Sequence, residues 1–135
     1  MRLLRLVSAI FLVAALYDGL LGLAFLVAPG AVFSHYGVTP PNHFGYVQFP
    51  AALLIVFAVM FLAIAKDPAR NRNLIPYGIL LKVAYSGVSL YHWISTGIPD
   101  MWKPFTIADL AFIALFGWAC LSLRHAERTT GSSPS

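Results

Sequence analysis

Apolar residues fill the chain in four long blocks, roughly Leu4 to Ala28, Tyr46 to Ala65, Leu74 to Thr96 and Pro104 to Leu123, separated by shorter stretches rich in Pro, Gly, Asn or charge. At 1.5 Å rise per residue a helix needs about 20 residues to cross hydrocarbon, so each block is long enough for one span. The predicted fold is all-α, an integral membrane four-helix bundle in one domain over residues 1–123. The first block follows Arg2 and Arg5 as a signal peptide would. Its apolar run is about twice the usual length and no A-x-A site follows, which reads as a retained helix.

The third block carries the clearest amphipathic signal. At 100° per residue Gly78, Lys82, Tyr85, Ser86, Ser89, His92, Trp93 and Thr96 fall within an arc of about 120°, while Leu80, Val83, Gly87 and Ile94 lie elsewhere. An unsatisfied polar group facing lipid costs several kcal/mol, so this stripe is expected to face the bundle interior.

Two acids lie deep enough to need partners there. Asp18 sits about 15 Å from the outer end of the first helix and Lys82 about 21 Å from that of the third, a difference that a lysine stem of about 6 Å can span. The expected partner of Asp18 is therefore Lys82, with Tyr85 as a hydrogen-bonding third member. Asp109, about 8 Å deep, and His92, about 6 Å deep, form a second expected pair. Ala14, Ala15, Gly19 and Gly22 flank Asp18 at small-xxx-small spacing, which suits close helix packing. Two readings of the Asp18/Lys82 pair stand side by side: an ion pair that fixes helix register, and a group that handles a ligand or a proton.

Composition narrows the alternatives. Of the 135 residues 59% are hydrophobic and 10% charged, well below the charge of a soluble domain. The net charge of +4 is basic, but the basic residues flank apolar blocks, so they read as topology determinants and nucleic acid is not an expected partner. Arg2, Arg5, Lys66, Arg70, Arg72, Arg124 and Arg128 fall at one end of the four spans and only Lys103 at the other. Both termini are then cytoplasmic. Pro50 and Pro76 are expected near helix starts, and the tail at 124–135, "RHAERTTGSSPS", is expected to be cytoplasmic and disordered beyond Glu127.

The remaining candidates point to no reaction, and no catalytic residue is assigned. Cys120 stands alone, without a base at its depth, and reads as a small packing residue. His35 and His43 lie eight apart in a Pro-rich connection without metal-ligand spacing, so that segment reads as a surface loop at the outer interface, and no metal is expected. The aromatic content of 14% could line a cavity for a quinone or a lipid, although Trp93, Trp102, Tyr36 and Tyr46 also fit an interfacial belt.

The entry "RLVSAIFLVAALYDGLLGLAFLVAPGAVFSHYGV", the Pro-Pro connection and the basic turn "AKDPARNRN" resemble the small four-helix bacterial membrane proteins grouped as DoxX-like, over about residues 5–123. That resemblance implies the fold and a bacterial cytoplasmic (inner) membrane, and hints at quinone or redox association. The expected function is a non-enzymatic binding or accessory subunit with a polar interior site formed by Asp18, Lys82, Tyr85, Ser86, Ser89, His92 and Asp109. The alternative is a quinone-associated redox component, or one that transports protons or small solutes. Expected partners are the lipid bilayer and either a second copy or a larger membrane complex.

Overall fold

A computed structural model describes residues 2–131. It contains five α-helices: α1 (Arg2–Val27), α2 (Pro29–Tyr36), α3 (Gly45–Lys66), α4 (Ile75–Ser95) and α5 (Lys103–Gly131), with single 3-10 turns at Arg72–Leu74 and Asp100–Trp102. No strand occurs among the described residues. Four of the helices, all but α2, are long and apolar enough to cross a membrane. Their outer surfaces carry Leu16, Leu20, Leu62, Leu80 and Leu121 in full view, an outside that matches hydrocarbon and not water.

Helix α2 is a departure from the expected surface loop. Pro29 opens it, where the missing N–H has no helical partner to lose. Gly37 closes it at φ 65°, the left-handed conformation that glycine adopts without strain, and the Val38 N–H reaches back to the Phe33 carbonyl at 3.0 Å. Between these ends Phe33 is buried against Phe25 of α1 and against Trp102. The segment therefore folds over the end of the molecule instead of lying open.

Pro50 also sits deeper than expected, in the sixth position of α3. Having no N–H, it leaves the Tyr46 carbonyl without its helical donor. The C-terminal helix departs in the other direction. It continues to Gly131, four residues past Glu127, because the Thr129 and Thr130 hydroxyls donate to carbonyls of its last turns and Arg72 forms an ion pair with Glu127. Residues 132–135, the rest of the expected disordered tail, lie outside the described residues.

Packing follows the small residues. Helix α1 lies along α3 and α4 along α5. At the first contact Gly22 comes so close to α3 that a Cβ built on it would stand 2.6 Å from the Ala51 carbonyl oxygen. The two pairs then meet through an aromatic core in which Phe11, Phe61 and Phe116 are fully buried, with the Phe11 and Phe116 rings stacked at 4.5 Å. Phe61 of α3 also covers Gly78 of α4, where a Cβ would meet its ring at 2.7 Å. Side-chain amides finish two helix ends: Gln48 donates to the Leu26 carbonyl at 3.1 Å and Asn71 to the Ala63 carbonyl at 2.8 Å.

The glycines give a direct test. Gly22→Ala should lower stability in detergent by about 1 to 3 kcal/mol, because the obstructing atom is backbone and cannot rotate away. Gly87→Ala, whose Cβ meets nothing within 4 Å, should be neutral or slightly stabilising. Equal melting temperatures for the two variants would show that the close α1–α3 approach does not limit packing.

Candidate functional site

Asp18, Lys82 and Asp109 converge from α1, α4 and α5. Each lies on the buried stripe of its helix: Phe11, Ala14, Asp18 and Phe25 on α1, Gly78, Lys82, Ser86 and Ser89 on α4, and Thr106, Asp109, Phe112 and Phe116 on α5. These steps of three and four residues keep one face of a helix toward its neighbours.

At the centre the Lys82 Nζ donates to Asp18 Oδ1 at 2.7 Å, to Asp18 Oδ2 at 2.9 Å and to Asp109 Oδ1 at 3.0 Å. Lys82 and Asp18 are each 1% exposed and Asp109 6%. The ammonium also sits 4.9 Å from the Phe112 ring centroid and 5.2 Å from that of Tyr17, near enough for both ring faces to add electrostatic attraction. The two Asp18 oxygens, on one carboxylate, share a bifurcated N–H, and a second N–H reaches Asp109.

The other members of the expected site lie around this centre and not in it. Tyr85 is the third member in neither distance nor bonding: its hydroxyl donates weakly, at 3.4 Å, to the Trp102 carbonyl, and Asp109 takes the place beside Lys82. His92 is exposed and does not pair with Asp109. Depth counted from the outer end of each block misassigned Asp109, which meets Lys82 although Asp109 is six residues from the start of α5 and Lys82 thirteen from the end of α4. Ser86 bonds back to the Lys82 carbonyl at 2.6 Å, the local contact that serine makes within helices. Ser89 shares a hydrogen bond of 2.5 Å with Thr106, which joins α4 to α5. Thr106, fully buried, was not among the expected residues, although its spacing from Asp109 and Phe116 on one helical face marks it. Tyr17 was also missed. Its hydroxyl is buried with no hydrogen-bond partner.

A cavity of about 360 Å³ opens beside the ion cluster, bounded by Asp18 and Asp109, by Tyr17, Phe25, Tyr85, Trp102 and Phe105, and by the small Ala51 and Ala84. The lining residues that stay exposed are Tyr46 and Pro50 on α3 and Ala84 on α4, which places its mouth between those helices. Phe61 against Gly78 closes the same seam further toward the α3–α4 turn. Ser89 does not line this cavity; with Tyr85 and His92 it borders a separate groove of about 370 Å³ near the end of α4.

Among the described residues no group of His, Cys, Asp and Glu could hold a metal ion. His35 and His43 are exposed, the latter accepting a hydrogen bond from the Gly45 N–H at 2.9 Å. Cys120 is buried among the residues of the aromatic core. No family model, curated protein or solved structure matches the chain.

The two-to-one ratio of carboxylates to ammonium changes what substitution should do. Removing the shared cation leaves two acids facing each other, so Lys82→Met should cost about 3 to 5 kcal/mol, while Asp109→Asn leaves a neutral pair and should cost much less. Asp18→Asn with Lys82→Met strands Asp109 and should recover little. Only the triple variant with Asp109→Asn should melt near the parent in detergent. A double variant already as stable as the parent would mean that Asp109 is not part of the cluster.

Proposed function

We propose that the chain is a small binding or accessory protein of a bacterial cytoplasmic membrane, a four-helix bundle with both termini cytoplasmic, whose interior cavity holds a small ligand. The observation that carries this reading is the coincidence of the cavity with the Asp18, Lys82 and Asp109 cluster. A charge at mid-membrane costs about 2.5 to 3.5 kcal/mol even on the lenient insertion scale, and such groups are enriched where membrane proteins bind or conduct. A volume of about 360 Å³ is within the range of small-molecule sites.

A second reading, a quinone-associated redox component or one that moves protons or small solutes, draws on the flat rings of Phe25, Trp102 and Phe105 along the wall and on the DoxX-like resemblance. Four spans are few for a complete transporter, so this reading requires a second copy or a larger membrane complex.

Native mass spectrometry of the detergent-extracted protein tests the binding reading. The parent should carry a substoichiometric lipid, quinone or other small adduct, and Ala84→Phe, which places a ring in the mouth, should lose it. An adduct retained in full by that variant would place binding elsewhere. The orientation rests on the distribution of basic residues and is tested separately. In a Cys120→Ala background, cysteines at Ser34 and at Arg70 should react with an impermeant reagent from opposite sides of the membrane. Labelling of both from outside intact cells would overturn the four-span topology.

A further inference from the structure

The hydrogen bonds of the ion cluster leave one acceptor over. Two carboxylates present four oxygens, and the Lys82 Nζ lies within hydrogen-bond distance of three of them, Asp18 Oδ1, Asp18 Oδ2 and Asp109 Oδ1. Asp109 Oδ2 has no hydrogen-bond partner among the described residues, although Asp109 is 94% buried as the complement of its 6% exposure. Asp109 is also part of the cavity wall. With both acids and Lys82 ionised the cluster carries one negative charge too many, and the vacant oxygen and the missing positive charge fall on the same residue. A buried carboxylate without a compensating charge or donor is strongly disfavoured.

Resting on the binding reading above, we propose that the cavity takes an organic cation: a protonated amine on an apolar, preferably aromatic body, with its ammonium N–H directed to Asp109 Oδ2. One such ligand supplies the absent charge and the absent donor together. Tyr17, Phe25, Trp102 and Phe105 line the space in which its body would lie, and aromatic rings attract cations as well as apolar groups. A ligand that presents only acceptors leaves Asp109 Oδ2 without a donor. Lys82 and Ser86 are buried and do not line the cavity, the Tyr17 hydroxyl is sealed from it, and the Tyr85 hydroxyl, held only at 3.4 Å by the Trp102 carbonyl, is the donor such a ligand would meet. An anion would add to a charge that is already in excess. A proton on Asp109 would satisfy the same oxygen, but leaves the aromatic-walled volume beside it without a role.

The test uses two probes of equal shape, 2-(1-naphthyl)ethylamine and the neutral 2-(1-naphthyl)ethanol, with the full chain in nanodiscs of phosphatidylglycerol, which contain no lipid amine. Binding is read by naphthyl fluorescence at pH 7 and corrected for partition into empty discs. The amine is expected to bind at least tenfold more tightly than the alcohol. Asp109→Asn should abolish that preference, and Ala84→Phe should weaken both. Equal affinity of the parent for amine and alcohol would overturn the cation proposal, because the fourth oxygen would then already hold a proton, yet would leave the binding cavity standing. Binding of neither probe, or binding of both unaffected by Ala84→Phe, would overturn the cavity reading and this inference with it. Adding phosphatidylethanolamine to the discs separates the two sources of an ammonium group: displacement of the amine assigns the site to a lipid headgroup, and no displacement assigns it to a free amine. The parent comparison needs no substitution, so it stands even if Asp109→Asn fails to fold.

Discussion

A single ammonium group holds three helices in register. Lys82 is long enough to reach both carboxylates, bonds to each of them, and is 1% exposed, so water has almost no access to its ammonium group. A shift of α1 or α5 by one residue, about 1.5 Å along its axis, would stretch these hydrogen bonds beyond useful length in an environment that offers no substitute. Apolar packing lacks that discrimination, because one leucine-rich face slides over another at small cost. The cluster thus supplies register, and the aromatic core formed by Phe11, Phe61 and Phe116 supplies contact area.

That division of labour depends on small residues being where the backbones approach. Gly22 lets α1 lie against the α3 backbone at Ala51, and Gly78 admits the Phe61 ring between the two helix pairs. Where a large side chain meets a glycine the seam between α3 and α4 is closed. Where the lining residues are the small Ala51 and Ala84, the seam stays open and the cavity forms. The cavity therefore forms where the side chains along the seam are small and where Pro50 interrupts the hydrogen bonds of α3.

The sequence made the four long helices legible, because apolar length is a property of each segment alone and does not depend on its neighbours. The approach of Lys82 to Asp18 was also legible, since two opposite charges in otherwise apolar blocks have few other ways to be satisfied. The role of Asp109 was not. Pairing it with His92 assumed that helix ends are level, and relative axial offset is fixed only by tertiary packing. Its neighbours Thr106, Phe112 and Phe116 share its helical face, and that periodicity pointed inward more reliably than depth did. Helix α2 was hidden for a different reason: its eight residues are too few to show amphipathic periodicity, and it is held by Phe33 against Phe25 and Trp102, residues remote in the chain.

The cavity and the unbalanced carboxylate each weaken the folded state. An apolar-walled void forfeits dispersion contacts on one side of every residue that lines it, and a carboxylate oxygen that faces such a void without a donor forfeits most of its hydration. Either defect could be removed by an ordinary substitution: a larger residue at Ala84 would fill the space, and Asn at position 109 would neutralise the charge. Elsewhere the interior is filled and satisfied, with the Tyr17 hydroxyl the one buried side-chain polar atom among the described residues left without a partner. Local departures from stable design tend to gather where a protein binds something. Here an empty volume, a vacant acceptor and a surplus negative charge occupy one place, within the outline of a single small molecule. Independent packing errors would have no reason to fall together, whereas a ligand that carries a cation on an apolar body would remove the void and the charge imbalance at once.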